Sequence, residues 1–198
     1  MSMEKQNRQS YRDRYFSDNE AVKVAAANRR GYRIIYRYLG LWRSWESVTG
    51  TLAQKKRVIG LAELTSVCLY LGCAAADSPV NRVRIAGGLG LLSVLPWLLE
   101  VSGVLRFLLA KEYVRDLSME EIDGSFRYGC CPRAVLAALS GLLGMVECLQ
   151  LGEASYREAL LLAGILLSAS LSLVIWRLYD KLLVNTYRNV NGTPGSKI

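Results

Sequence analysis

The stretch Ala159–Trp176, ALLLAGILLSASLSLVIW, contains no charged side chain. A helix needs roughly 20 mostly apolar residues to cross the hydrocarbon core of a bilayer, so this run has the length and composition of a membrane span. Working outward, three more runs of similar length appear at 58–76, 85–109 and 134–151. Buried helices of a water-soluble protein can be as apolar, but four of this length in one short chain point to an integral membrane four-helix bundle. The expected fold class is therefore all-α.

Charge is segregated in the same sense. The chain holds 25 Lys and Arg against 17 Asp and Glu, a formal net charge of +8. All of that excess lies before Val58, because acids and bases balance from there onward. A basic flank beside apolar runs reports membrane orientation more readily than nucleic-acid binding, and no nucleic-acid partner is expected. Basic residues cluster at Lys55-Lys56-Arg57, between the second and third runs at Lys111, Arg115, Arg127 and Arg133, and after the fourth at Arg177, Lys181 and Arg188. The positive-inside rule then places both termini and the middle segment in the cytoplasm, in a multi-pass protein of the cytoplasmic membrane. Turns at Asp77-Ser78-Pro79 and Gly152-Glu153-Ala154-Ser155 face the other side. The first apolar run begins late, so that helix itself is expected to act as the targeting signal.

The organisation that follows is a disordered polar tail at 1–19, a basic arm at 20–57, a membrane domain at 58–184 with a cytoplasmic loop at 111–133, and a tail at 185–198. In the arm, Ile35, Tyr38, Leu39, Trp42 and Trp45 recur at three- and four-residue steps, while Arg29, Arg33 and Arg37 stripe another face. This spacing predicts an N-terminal amphipathic helix. Its expected surroundings are anionic lipid headgroups, with Trp42 and Trp45 at headgroup level. The alternative is a helix packed on the rest of this chain or on a partner. In the middle loop, Ser118 and Glu121 have capping-box spacing and Gly124 follows as a stop, which predicts one short helix. Pro132 is placed to open the third membrane helix.

Two pairs of segments echo each other. Cys68-Leu-Tyr-Leu-Gly72 matches Cys148-Leu-Gln-Leu-Gly152, and Ile85-Ala-Gly87 matches Leu162-Ala-Gly164. In this order they suggest a tandem repeat of two helical hairpins, against the alternative that apolar segments resemble one another by chance.

Candidate chemistry is confined to a few groups. Glu63, Glu100 and Glu147 lie within apolar runs, where an ionised side chain is costly enough to call for a partner or a role. The first and second helices run in opposite directions, so Glu63 and Glu100 fall at similar depth near the cytoplasmic side. Arg57, Arg106 and Arg177 are the bases expected to meet them. Glu147 belongs near the other surface, beside Arg82, Arg84 or Arg157. Pro96 predicts a kink that places Trp97 and Glu100 on one face. Glu63, Glu100, Trp97, Arg106 and Arg177 therefore form the candidate polar site. Two readings stand: a proton, cation or substrate site, or an interhelical ion pair that fixes packing.

The rest excludes more than it assigns. The chain has no histidine, which removes the usual general base and the commonest metal ligand. Its five cysteines, Cys68, Cys73, Cys130, Cys131 and Cys148, show no zinc-type spacing and are read as reduced thiols, with acylation of Cys130-Cys131 as the alternative. No phosphate loop, metalloprotease motif or nucleophile elbow is present. No cofactor, metal or catalytic set is expected. Small residues recur four apart at Ala137/Gly141, Ser140/Gly144 and Gly164/Ser168/Ser172, a pattern that lets helices approach closely within the bundle or between copies. The leading expectation is a non-catalytic membrane subunit or scaffold; the alternative is a small transporter or channel subunit using Glu63 and Glu100.

Overall fold

The structure is a computed structural model, and it describes residues 18–25, 31–78, 84–150, 152, 155–190 and 193–197. The polar tail falls almost wholly outside the described residues. Among the described residues four helices are long and apolar enough to cross a membrane. They are α1 (Leu52–Ala74), α2 (Arg84–Leu109), α3 (Asp116–Gln150) and α4 (Tyr156–Asp180). Among the described residues six strands accompany them: β1 (Asn19–Ala25), β2 (Tyr32–Tyr38), β3 (Trp42–Ser47), β4 (Val114–Arg115), β5 (Leu182–Val190) and β6 (Thr193–Lys197). The chain is thus mostly helical but not all-α.

Two compact units divide the described residues. One draws on the segments before Trp45, on Lys111–Met119 and on the segment after Leu183; the other comprises Trp45–Ala110 and Glu120–Leu183.

The first unit corrects the reading of the arm. The segment read as an amphipathic helix is an antiparallel ribbon of β1 and β2, in register from Asn19↔Tyr38 to Ala25↔Tyr32, followed by β3. In Tyr32-Arg-Ile-Ile-Tyr-Arg-Tyr38, aromatic and β-branched residues dominate, and these favour the pleated surface over the helix. Gly31, at φ +70°, leads into β2 with a backbone that L side chains rarely adopt. Arg33 and Arg37 are exposed on β2, and Arg29 lies outside the described residues. Trp42 is half-buried and edge-on to Tyr38, at 5.4 Å between ring centres. β3 pairs with β4 through Trp42↔Arg115 and Arg43↔Val114, and the Arg43 and Asp116 side chains form an ion pair. The four-stranded sheet runs β4-β3-β5-β6.

The second unit is the helical bundle. Thr51 caps α1 by accepting from the Gln54 amide, while the Gln54 side chain accepts from the Thr51 amide. This reciprocal pair satisfies two amide donors and starts the helix at Leu52, before the basic triplet Lys55-Lys56-Arg57. The expected boundary at Val58 was read from hydropathy alone.

A larger difference concerns α3. It starts at Asp116, whose acid suits the positive end of the helix dipole, and runs unbroken past Gly124 and Pro132. The expected short helix, stop and restart do not occur. A helix-interior glycine costs only about 1 kcal/mol, and neighbouring helices can compensate a proline. Here burial of Phe126, Cys130 and Arg133 on the continuous helix supplies the packing. α3 has 35 residues against 23 in α1, so the two proposed hairpins differ in length.

Small residues make the close approaches inside this unit. α1 packs mainly along α4 and less against α2. Ser66 and Ser168 meet at 3.0 Å between hydroxyls, and Gly164 faces Cys73. Gly141 faces Leu162 and Ile165, and Ser140 donates to the Ala86 carbonyl. The small-residue stripes read from the sequence therefore face neighbouring helices of the same chain. At one end of the unit, Trp45, Phe107, Phe126 and Tyr179 form an aromatic cluster, with Trp45 Nε1 donating to Tyr179 Oη at 3.2 Å. Trp45, expected at a lipid surface, is only 4% exposed because its ring completes that cluster. Lys56 Nζ donates to the Ala110 carbonyl at 2.7 Å, tying the start of α1 to the end of α2.

Candidate functional site

The central polar cluster gathers around Arg133, a residue the sequence reading left in a cytoplasmic loop. Its guanidinium is the largest fully buried side chain among the described residues. Nη1 donates to Glu100 Oε2 at 2.9 Å and lies 3.8 Å from Glu63 Oε1. Nη2 donates to Ser66 Oγ at 2.9 Å and to Ser168 Oγ at 3.1 Å. The guanidinium carbon also sits 5.8 Å from the centre of the Tyr70 ring, within cation–π range. One side chain of α3 thus engages α1, α2 and α4.

Depth follows from the helix ends. Glu63 is the middle residue of α1 and Ser168 the middle residue of α4. The cluster therefore lies at the middle of α1 and α4, not near the helix ends as expected. The continuous α3 carries Arg133 inward, and the early cap at Thr51 lengthens α1 on the Glu63 side.

Glu63 and Glu100 come together as expected, but with a different base. Arg106 is exposed and bonds Glu121 at 2.8 Å. Arg57 and Arg177 are exposed on α1 and α4. Arg133 displaces all three because it projects from a helix wall into the bundle, where bases at helix ends do not reach. Glu147 is half-buried in α3, while Arg82 lies outside the described residues. A further acid, Glu158, is buried and accepts from the Ser78 hydroxyl.

The charge balance at the centre is uneven. Two carboxyls share one guanidinium, and Cys130 stands beside Glu100. Neither oxygen of Glu63, and not Oε1 of Glu100, makes a hydrogen bond of ordinary geometry among the described residues. The Glu63 carboxyl has the Glu100 carboxyl and Arg133 as its charged neighbours. Two bare carboxylates so placed repel, and a shared proton or a small cation relieves that repulsion.

No family model matches this chain, and no curated protein or solved structure matches it either. The site is therefore argued from its own geometry. Gly129, which the sequence reading does not single out, and Arg133, which it assigns to the middle loop, are what complete the site around Glu63 and Glu100. A Cβ at Gly129 would stand 2.6 Å from the Glu100 amide nitrogen, so this glycine lets α3 approach α2 at the acid itself. The spacing Gly129–Arg133, four residues on one helix face, was the available signal.

Trp97 also neighbours Tyr70. The two rings lie 6.1 Å apart, and Trp97 Nε1 is buried without a hydrogen-bond partner among the described residues. Tyr70 Oη donates to the Gly90 carbonyl at 2.7 Å and meets Ser93 Oγ at 2.8 Å. α2 runs through Pro96 as one helix, so Trp97 and Glu100 share a side of it.

Proposed function

We propose that this chain is a small non-catalytic multi-pass protein of the cytoplasmic membrane whose bundle holds a proton- or cation-binding centre, as a transporter or channel subunit would. The observation that carries this reading is the uneven cluster of Glu63 and Glu100 on one buried guanidinium. A purely structural ion pair needs one acid per base, and buried ion pairs add little net stability over well-packed apolar residues. A second acid with no ordinary hydrogen bond costs stability and makes chemical sense where a further positive species binds.

The test is proteoliposome flux. With the protein reconstituted and an imposed pH or cation gradient, dissipation of the gradient should depend on the protein. Glu100→Gln and Glu63→Gln should each reduce it at least tenfold while leaving folded yield unchanged. Flux that persists in both variants, or no flux from the native protein under any gradient, would reject the reading.

A second reading is a membrane subunit that assembles with a protein partner or with further copies. It is favoured by the β1–β2 ribbon, where Ile34 and Tyr36 are strongly exposed beside Arg33 and Arg37. Aromatic and basic residues in this combination also suit anionic lipid headgroups. The small-residue faces contribute less to this reading, since they are occupied by packing inside the chain.

Orientation belongs to both readings. Cysteine-reactive labelling is expected to modify a cysteine placed at Glu120 from the cytoplasmic side and one placed at Ser155 from outside. Equal access to Glu120 and Ser155 from one side would invert the hairpin arrangement, whose warrant is the Lys/Arg bias.

A further inference from the structure

Two carboxyls and one guanidinium meet at the centre of the bundle, and with all three ionised they leave one negative charge unmatched. Glu63 is 5% exposed, Glu100 0% and Arg133 1%. An unmatched charge so buried is costly. The neighbouring donors do not relieve it. Ser66 Oγ donates to the Ser168 carbonyl at 3.1 Å, and Ser168 Oγ donates to the Ser66 carbonyl at 3.0 Å. Both hydroxyl protons are thus committed between the serines, while both hydroxyl oxygens accept from Arg133 Nη2. Cys130, beside Glu100, offers only a thiol, a weak donor. Both oxygens of Glu63 and Oε1 of Glu100 remain without a hydrogen bond of ordinary geometry among the described residues. The two carboxyls are within direct reach of each other.

We infer that the positive species held at this centre is a single proton shared between the Glu63 and Glu100 carboxyls, and not a metal cation. The inference rests on the reading of the cluster as a proton- or cation-binding centre and selects between those two occupants. A proton needs only two facing oxygens, one on each acid, and it brings the cluster to neutrality. The protonated acid then donates to the other, and the remaining carboxylate charge matches Arg133 one to one. A metal cation must instead exchange its hydration shell for oxygens that surround it. Here three carboxyl oxygens are open to it, whereas calcium takes about 6–8. One of the three, Glu63 Oε1, lies only 3.8 Å from the Arg133 guanidinium, which repels a second cation. No other ionisable group offsets this. Around the pair, α1 adds Ser66 and Tyr70, α3 adds Cys130 with Arg133, and α4 adds the uncharged Ser168.

Infrared spectroscopy of the full chain in mild detergent tests this, because a protonated carboxyl absorbs apart from a carboxylate and its band shifts in heavy water. At neutral pH, with choline as the only added cation, the native protein should show such a band. The band should be lost in Glu63→Gln and equally in Glu100→Gln, since Arg133 matches whichever acid is left. Glu158→Gln alters the buried acid beside Ser78 and should leave the band in place. Circular dichroism checks that each variant folds. Sodium, potassium and calcium chlorides, added in turn to the native protein, should not remove the band; this arm needs no variant. Three results would each overturn the inference: no such band in the native protein, a band that survives replacement of one of the two acids, or a band displaced by one of the three salts. Displacement by a salt would leave the cation alternative of the proposed centre standing. A native band that meets every expectation, in a protein that dissipates no gradient, would uphold the shared proton and reject transport alone.

Discussion

Arg133→Leu is expected to destabilise the bundle by about 3–5 kcal/mol, the largest loss from any single substitution in it. The physical reason is what remains behind. Arg133 is 1% exposed and holds Glu100, Ser66 and Ser168 by hydrogen bonds, with Glu63 at 3.8 Å. Leucine fills part of the volume but leaves two acids buried with no base. Arg133→Lys should recover only part of the loss. A lysine ammonium is one point charge, whereas the planar fork serves Glu100 through one nitrogen and both serines through the other. Replacing Glu63, Glu100 and Arg133 together by apolar residues of similar volume should restore most of the stability, because no charge is then left unmatched. Thermal or denaturant unfolding in mild detergent measures all three. A melting curve for Arg133→Leu that overlays the native one would show that Arg133 does not hold the centre together.

That centre was half legible in the sequence. Glu63 and Glu100 announced themselves as acids within apolar runs, and opposite helix directions placed them at one depth. Arg133 did not, because Gly124 and Pro132 carry the residue types that usually end or begin helices. Hydropathy follows where lipid contact is possible, whereas α3 extends well beyond its apolar part, from Asp116 to Gln150. A base just outside an apolar run was therefore assigned to a loop. The arm failed for a different reason. Ile35, Tyr38, Leu39, Trp42 and Trp45 fit a period of 3.6, but Tyr32–Tyr38 also fits a period of 2, and its aromatic and β-branched content favours the strand. Trp45 reads as a surface ring because its partners Phe107 and Tyr179 come from two distant segments that no local pattern links. The four long helices were legible because composition alone sets them.

Gly129→Ala and Gly124→Ala are expected to move stability in opposite directions, although both place alanine in the same helix. Alanine is intrinsically better than glycine in a helix interior by about 1 kcal/mol. At Gly124 a Cβ meets nothing within 4 Å, so that gain should appear as a modest rise in stability. At Gly129 the Cβ would stand 2.6 Å from the Glu100 nitrogen and 2.8 Å from its Cα. Both obstacles are backbone, so no rotamer change relieves the contact, and α2 and α3 must separate. Overpacking of this kind costs about 1–3 kcal/mol, which outweighs the propensity gain. The separation also moves Glu100 relative to Arg133, across a bond of 2.9 Å that tolerates little displacement. Gly129→Ala should therefore lower both the unfolding midpoint and any gradient-driven flux, while Gly124→Ala lowers neither. Equal stabilisation by the two alanines would mean that α3 does not approach α2 at Glu100, and the placement of Arg133 between the two acids would fall with it.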